Sequence, residues 1–186
     1  MLPGRQSFLI AGVDEAGRGC LAGPVVAGAV ILPPHFSHPF LRDSKQLSPN
    51  QRLSVFEALL ERRALIGIGM QGPQAVDASN ILQATLEAMK EAVESLPLLP
   101  DCIRVDGPYA PSFQNCVETY IKGDQLLPEI AAAAIVAKVV RDQLMHHLHR
   151  HYPVYRWDKN KGYPTAEHKR ALRIYGPSPY HRLSFL

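Results

Sequence analysis

Cysteine and tryptophan are scarce in this chain, which has three cysteines and one tryptophan among 186 residues. The cysteines Cys20, Cys102 and Cys116 are odd in number and form no CxxC pair. The sequence therefore shows neither the even cysteine count of a disulfide framework nor the CxxC spacing of a zinc site. We therefore expect reduced, mostly buried thiols and a cytoplasmic location.

Long hydrophobic runs are also missing. The apolar run at residues 8–13 is too short to cross a membrane and ends in two acids, so it predicts neither a signal peptide nor a membrane span. No repeat or low-complexity segment is present. The length suits one domain with an appendage, and we predict a domain at residues 1–150 and an appendage at 151–186 that borders the active site.

Charge is unevenly distributed along the chain. Residues 1–137 carry ten Lys/Arg and fourteen Asp/Glu, for a net charge of −4, whereas residues 138–186 carry ten and three, for +7. Six of the eight histidines lie in the later part. A basic surface beside an acidic site is typical of proteins that bind polyanions, although many basic surfaces are merely solvated.

Strand and helix patterns alternate along most of the sequence. Apolar or alternating runs predict strands at residues 8–13, 25–32, 64–70, 102–105 and 117–121. Helical spacing and capping signals predict helices at residues 49–63, 73–96, 130–151 and 165–175. The order indicates an α/β domain with a mixed five-stranded sheet flanked by helices, followed by a small helical appendage.

Two adjacent acids, Asp14 and Glu15, follow the first apolar run. An ionised group removed from water must be paired, bound to a metal or neutralised by a shifted pKa. The run before these acids is too apolar for a solvated loop, so the pattern favours a cation site.

Asp106 ends another short apolar strand, and Asp124 lies in a turn before a helix. If the strands that end at Asp14 and Asp106 are parallel neighbours, their carboxylates meet at one edge of the sheet. Several carboxylates there would suit two Mg²⁺ ions that act on a phosphodiester. For Asp106 or Asp124 alone, a helix cap or a surface turn is the simpler interpretation.

Seven ordered blocks of the sequence resemble ribonuclease HII, the type 2 ribonuclease H family. They are residues 12–24 (GVDEAGRGCLAGP), 43–48 (DSKQLS), 105–107 (VDG), 122–124 (KGD), 130–142 (IAAAAIVAKVVRD), 162–168 (GYPTAEH) and 181–185 (HRLSF). The resemblance implies a ribonuclease H-like fold and Mg²⁺ or Mn²⁺ as cofactor. It also implies endonucleolytic cleavage of RNA in RNA–DNA hybrids and at ribonucleotides embedded in duplex DNA.

The resemblance places the family's four acids at Asp14, Glu15, Asp106 and Asp124, which implies catalytic and metal-binding roles for them. Asp142 is the alternative for the fourth position. It lies within a predicted helix beside Arg141, where an ion pair is the simpler account.

Recognition of the nucleic acid is assigned to a second set of residues. The resemblance implies that the turn Gly17-Arg18-Gly19 contacts the 2′-hydroxyl, the group that distinguishes RNA from DNA. It also implies that Tyr163 stacks on a nucleotide, although a tyrosine packed in the core or a turn is the alternative. The candidates for phosphate contact are Arg18, Lys45, Lys122, Lys138 and Arg182.

The sequence also allows three other interpretations. A dinucleotide-binding turn fits poorly, because Asp14 and Glu15 would repel a pyrophosphate and a strand follows where a helix is needed. A nucleic-acid-binding module without catalysis would not explain four acids facing a polyanion. The histidines of residues 146–151 could bind zinc or copper, but cationic residues also complement a helix C-terminus. We expect a monomer.

Overall fold

A computed structural model describes residues 8–41 and 47–186 of the chain. Lys45, one of the predicted phosphate-contacting residues, lies outside the described residues. The strands are β1 (Ile10–Ala16), β2 (Val25–Ile31), β3 (Leu65–Gln71), β4 (Cys102–Asp106) and β5 (Cys116–Tyr120). The helices are α1 (Pro49–Glu61), α2 (Pro73–Ala78), α3 (Ile81–Glu94), α4 (Gly123–Leu126), α5 (Pro128–His151), α6 (Trp157–Asn160) and α7 (Ala166–Tyr175).

The five strands form one mixed sheet in the order β3-β2-β1-β4-β5. β1 pairs with β2, and β2 with β3, in antiparallel register. β4 lies parallel to both β1 and β5. The predicted mixed five-stranded α/β sheet is therefore confirmed, and the carboxyl ends of β1 and β4 meet at one edge.

Helices cover both faces of the sheet. On one face α3 packs against β1, β2 and β3, and on the other α5 packs against β1 and β2 with α1 beside it. The alanines at the start of α5 let it approach closely, since a Cβ atom at Gly28 of β2 would lie 2.8 Å from the carbonyl oxygen of Ala133. This close contact fixes the start of α5 beside the carboxyl end of β1.

Two predicted elements differ from the structure. β1 continues through Asp14 and Glu15 to Ala16, so the acids lie within the strand instead of after it. The prediction of one continuous helix over residues 73–96 was wrong, because this segment forms two helices, α2 and α3, with a break between them. Asn80 caps α3 by accepting a 2.9 Å hydrogen bond from the Gln83 amide, and this cap restarts a helix whose apolar spacing alone shows no break.

The residues after α5 pack on the end of that helix. Their hydrophobic cluster contains Ala22, Met145, Leu148, Tyr155, Trp157 and Ala171. Within the described residues, no helix is long and apolar enough to cross a membrane. The domain boundary between residues 150 and 151 stays a prediction, but this packing joins the later residues directly to the segment that follows β1.

Candidate active site

The parallel pairing of β1 and β4 sets the positions of two predicted acids. Val13 lies beside Val105 in the ladder, so Asp14 and Asp106, the next residue on each strand, emerge at the same sheet edge. Asp14 is only 5% exposed. Glu15 follows it on β1 and has a partly buried side chain.

The fourth predicted acid, Asp124, reaches this edge through α4. The Gly123 amide donates a 2.6 Å hydrogen bond to Oδ1 of Asp106, which attaches the start of α4 to the end of β4. Asp124 is 1% exposed. Lys122 precedes the helix in a left-handed conformation with φ of 59° and is exposed, so its phosphate contact stays a prediction.

The four acids lie close enough for their negative charges to repel one another. Burial raises the pKa of Asp14 well above its ordinary value, and the negative charges of Glu15, Asp106 and Asp124 raise it further. Burial also raises the pKa of Glu15, although the Arg18 guanidinium opposes the shift. Buried carboxylates that repel one another are the hard oxygen donor set that Mg²⁺ and Mn²⁺ prefer, so these residues fit a divalent cation.

A cleft of about 290 Å³ opens in front of the acids. It is lined by Asp14, Glu15, Ala16, Gly17, Arg52, Asp106, Ala134, Lys138 and Tyr163. Two residues proposed for nucleic-acid contact, Lys138 and Tyr163, therefore share the cleft with three of the acids. Arg52 was not predicted from the sequence, because a lone arginine in the first turn of a helix carries no signal of function.

Asp142 is ion-paired with residues of the same cleft. Its Oδ1 lies 2.8 Å from Nζ of Lys138, and its Oδ2 lies 3.8 Å from Nη2 of Arg52. The expected pair with Arg141 was wrong, because adjacent residues of a helix point in different directions whereas residues four apart share a face. Asp142 thus balances two basic side chains.

The turn after β1 holds the residues assigned to ribose recognition. Gly17 has φ of +96°, and a Cβ atom there would lie 2.0 Å from Nε of Arg141. Gly19 faces open space. The partly exposed Arg18 places Nη1 3.4 Å from Oε1 of Glu15. The backbone is thus closely packed at Gly17 and accessible at Gly19.

Arg141 joins this turn to the later part of the chain. It is fully buried, and its Nε and Nη2 donate to the carbonyl oxygens of Pro24 and Ala22 at 2.9 and 3.1 Å. Its Nη1 donates to the carbonyl oxygen of Lys161 at 2.9 Å. One guanidinium therefore fixes the distance between the turn and the segment that leads to Tyr163.

Arg182 is a second buried arginine with a similar role. Its Nε and Nη1 donate to the carbonyl oxygens of Gly23 and Arg18 at 3.0 and 2.8 Å. Burial lowers its pKa to about 10. The expected direct phosphate contact disagrees with this placement, because the side chain has no solvent-exposed surface. Arg182 instead positions the turn.

Backbone hydrogen bonds join the same two parts of the chain. The Leu21 amide donates to the Gly162 carbonyl, the Arg182 amide donates to the Leu21 carbonyl, and the Gly23 amide donates to the Tyr180 carbonyl, each at 2.8 Å. The turn and the segment around Tyr163 consequently form one connected surface.

Tyr163 is partly exposed, at 39%, on the cleft side of this surface. The centre of its ring lies 5.4 Å from Nζ of Lys138 and 5.9 Å from Cζ of Arg141. Burial raises the pKa of its hydroxyl, and the neighbouring Cys20 thiol adds to the shift. The Tyr163 ring therefore packs near two cationic side chains, while part of the ring stays available to a ligand.

A buried histidine pair supports the Tyr163 backbone. The Ser178 amide donates to Nδ1 of His181 at 2.9 Å, and Trp157 Nε1 donates to Nε2 of His168 at 3.1 Å. The two Nε2 atoms are 3.0 Å apart, and His168 Nδ1 is 2.9 Å from the Tyr163 carbonyl oxygen. The contacts fit two neutral rings with protons on His181 Nε2 and His168 Nδ1, in which His168 Nε2 is the shared acceptor of Trp157 and His181.

This pair predicts a loss of stability in mild acid. Burial lowers the pKa of both rings, that of His181 to about 4, with His168 as its second cause. Below the ordinary histidine pKa of 6.5 the unfolded chain takes up protons that the folded chain refuses, so stability falls as pH drops from about 6.5 towards 4. Chemical denaturation at a series of pH values should show a slope of roughly 1.4 kcal/mol per pH unit from His181, to which the lowered pKa of His168 adds.

The matched control is His147→Gln, which removes an exposed histidine outside the pair and should keep the slope. His181→Gln should be less stable at pH 7.5 and should show a shallower slope. An unchanged slope in His181→Gln would contradict the assignment.

The histidines of residues 146–151 do not gather donors in the way a metal site requires. The rings of His147 and His151 are 5.4 Å apart, and Nδ1 of His149 lies 3.4 Å from the Asp158 carboxylate. Elsewhere, Cys102, Cys116 and Glu118 on the β4–β5 pair each offer a ligand atom within 4.8 Å of the other two.

Comparison with known proteins gives a consistent result across the chain. Residues 11–186 match the family model described as Ribonuclease HII. The chain is 52% identical over 178 residues to ribonuclease HII of Chlamydia pneumoniae. This alignment covers 95% of this chain and 83% of that protein. The chain is also 52% identical over 182 residues to ribonuclease HII of Syntrophobacter fumaroxidans, with coverage of 97% and 78%.

Several solved structures share the fold of this chain over at least 90% of its length. Ribonuclease H2 from Pyrococcus horikoshii superimposes with a TM-score of 0.79 and 26% identity, over 95% of this chain and 93% of that chain. The ribonuclease HII of a PCNA:RNase HII complex from Archaeoglobus fulgidus gives 0.78 and 23%, over 96% and 95%. Bst-RNase HIII in complex with Mn²⁺ gives 0.69 and 19%, over 90% and 70%, which shows the fold alone.

Proposed function

The chain belongs to the ribonuclease HII family and is an endoribonuclease, and from this premise we propose a specific reaction for it. It hydrolyses the RNA strand of RNA–DNA hybrids and cuts at single ribonucleotides embedded in duplex DNA, which would serve ribonucleotide removal during DNA replication and repair. The products carry 3′-hydroxyl and 5′-phosphate ends. The observation that carries the proposal is the cluster of repelling, buried acids in the same cleft as Tyr163 and the Gly17 turn.

Asp14, Glu15, Asp106 and Asp124 are the residues that would hold Mg²⁺ or Mn²⁺. Two such ions, when bound, supply a deprotonated water and stabilise the departing 3′ oxygen. The Gly123 amide orients the Asp106 carboxylate, and the Glu15 amide donates to Oδ1 of Asp14 at 2.6 Å. These backbone contacts fix two of the carboxylates before a substrate arrives.

Ribose and phosphate are recognised by different parts of the cleft. The accessible backbone at Gly19 and the adjoining Arg18 suit contact with the 2′-hydroxyl, which both donates and accepts hydrogen bonds. Lys138 and Arg52 line the cleft as cations and suit contact with phosphate. Arg52 is thus a new candidate, whereas Lys45 and Lys122 remain predictions from the sequence.

The direct test is cleavage of a DNA duplex that contains one ribonucleotide, with and without Mg²⁺. We expect one cut, dependent on the metal, with a 3′-hydroxyl at the new end. Binding without any cut under these conditions would favour a non-catalytic nucleic-acid-binding module and would overturn the proposal. A matched all-DNA duplex should remain intact.

Two asparagine variants compare the candidates for the fourth acid. Asp124 lies near enough to Asp14 to raise its pKa, whereas Asp142 is paired with Lys138. We therefore propose that Asp124→Asn is inactive and that Asp142→Asn keeps much of its activity. The opposite result would assign the fourth acid to Asp142.

The stacking role of Tyr163 predicts a difference between two substitutions. Tyr163→Ala should lower kcat/KM on the single-ribonucleotide duplex by about 5- to 150-fold, since stacking of a base on an aromatic side chain contributes roughly 1–3 kcal/mol. Tyr163→Phe keeps the ring and should stay near the parent value. Tyr175→Ala, at an exposed tyrosine of α7, is the control. Equal losses in the Phe and Ala variants would contradict stacking.

We also propose that the protein acts as a monomer in the cytoplasm. Light scattering on the purified protein tests the first statement, and cell fractionation tests the second. A stable dimer at micromolar concentration would overturn the monomer.

A further inference from the structure

Two cysteines lie side by side at the end of β4 and β5 that is far from the acids. Cys102 and Cys116 are direct partners in the parallel ladder, and their Sγ atoms are 2.9 Å apart. Glu118 is two residues after Cys116 and therefore shares its face of the sheet. One ligand atom from each of the three residues lies within 4.8 Å of the other two.

We propose that Cys102, Cys116 and Glu118 form a binding site for a thiophilic divalent ion of the Zn²⁺ type. Zn²⁺ binds cysteine sulfur at about 2.3 Å and carboxylate oxygen at about 2.0–2.2 Å in a tetrahedral arrangement. A tetrahedral site places two sulfur atoms about 3.8 Å apart. To reach this spacing, the two sulfur atoms need to move apart by less than about 1 Å from their present distance. Rotation of the cysteine side chains can provide this movement without a change in strand pairing.

The neighbouring side chains orient the carboxylate. Oε2 of Glu118 accepts hydrogen bonds from Arg104 Nε at 2.9 Å and from the Tyr120 hydroxyl at 2.8 Å. Both bonds use the same oxygen, so the metal takes Oε1. Residues that hold a metal ligand in place in this way commonly strengthen binding.

The charges of the occupied site nearly balance. When the ion binds, two S–H bonds break, two metal–sulfur bonds form and two protons pass to the solvent. Two thiolates and the carboxylates of Glu118 and Glu129, both paired with Arg104, then carry four negative charges. The divalent ion and the Arg104 guanidinium carry three positive charges, so the net charge is −1. No oxidant or reductant is required.

The cysteine site is open to solvent and lies apart from the acidic cluster. Cys116 is exposed on the edge strand β5, so solvent reaches the site and a water can take the fourth position. Cys102 is four residues before Asp106, about 13 Å along the strand. Soft sulfur donors select zinc-type ions, whereas the oxygen donors of the acidic cluster select Mg²⁺ or Mn²⁺. The two sites therefore take different ions.

The test uses the reduced, metal-free full chain titrated with Cd²⁺, a spectroscopic substitute for Zn²⁺, in excess Mg²⁺. We expect an ultraviolet sulfur-to-metal charge-transfer band that saturates at one ion per chain. Added Zn²⁺ should remove it by competition. Cys102→Ser and Cys116→Ser should abolish the band, and Glu118→Gln should weaken Cd²⁺ binding by at least about tenfold. Cys20→Ala, which removes a buried thiol elsewhere, should leave the band unchanged.

Cys116→Ser should still cut an RNA–DNA hybrid with Mg²⁺ at the parent rate, which shows that it is folded. A band that persists in this variant, or a stoichiometry well below one, would overturn the proposal. So would a purified protein in which a Cys102–Cys116 disulfide replaces metal binding. If a cysteine variant does not fold, unchanged Cd²⁺ affinity in Glu118→Gln would itself count against the site.

Discussion

An Asp14→Asn protein should lose cleavage by about 10³-fold or more and yet melt at a higher temperature than the parent in metal-free buffer. The loss follows because the variant removes a carboxylate proposed to hold metal, a contribution of several kcal/mol to the transition state. The gain in stability follows because burial and three neighbouring acids disfavour the charge of Asp14 in the folded protein. Asparagine keeps the Oδ1 atom that accepts the Glu15 amide.

The gain in stability of Asp14→Asn should depend on pH. The raised pKa of Asp14 means that the folded protein loses stability as pH rises above the ordinary value of 3.8, so the advantage of Asn should grow from acid to neutral pH. A relief of about 1 kcal/mol would raise the melting temperature by about 2–4 °C in a chain of this size. Calorimetry at several pH values measures it.

Two controls make this prediction specific. Mg²⁺ should raise the melting temperature of the parent and have much less effect on Asp14→Asn, because a ligand stabilises only a protein that binds it. Glu94→Gln removes an exposed acid from α3 and should leave both activity and the response to Mg²⁺ unchanged. A lower melting temperature for metal-free Asp14→Asn would contradict the proposed repulsion.

Substitution of Arg141 should produce the other large effect. Arg141→Met leaves the carbonyl oxygens of Ala22, Pro24 and Lys161 without this donor. Because an unsatisfied buried polar group costs about 1–3 kcal/mol, a loss of roughly 3 kcal/mol or more in the free energy of unfolding is expected. Arg141→Lys keeps the charge but lacks the planar fork, so it should fold and still lose geometry.

The functional readout of Arg141→Lys separates positioning from stability. Well below its melting temperature, kcat/KM on the single-ribonucleotide duplex should fall by up to about 10²-fold, as expected when a reactive group is displaced by about 1 Å. Its affinity for an all-DNA duplex, which depends on surface cations, should not change. Arg150→Lys, at an exposed arginine of α5, is the control. Parent-like cleavage by Arg141→Lys would exclude a positioning role.

The part of the site that the sequence predicts depends on local patterns. Apolar runs that end in Asp14 and Asp106 predict that the two carboxylates meet at one edge of the sheet. This prediction requires only that the strands be parallel, which the α/β order favours. The capping box at the start of α1 is equally local, and its hydrogen bonds between Ser48 and Gln51 are present. The helix break at Asn80 was missed because the apolar spacing of α3 extends smoothly backwards across it.

The roles of the buried arginines were beyond sequence reasoning for a different reason. Arg141 contacts residues 117 and 119 positions away, and Arg182 contacts residues 159 and 164 positions away. Arginine is usually exposed, so nothing in the local pattern marks these two as interior. Arg182 was assigned to phosphate, and only the packing of the later residues shows what its guanidinium holds.

The dependence of the Gly17 turn on Arg182 also concerns protein synthesis. A ribosome has made all four acids, and the strands and helix that carry them, long before it adds Arg182. Until then, the carbonyl oxygens of Arg18 and Gly23 lack the donor that holds the turn. Since domains form as the chain emerges, a nascent chain would assemble its acidic cluster before the Gly17 turn reaches its final geometry.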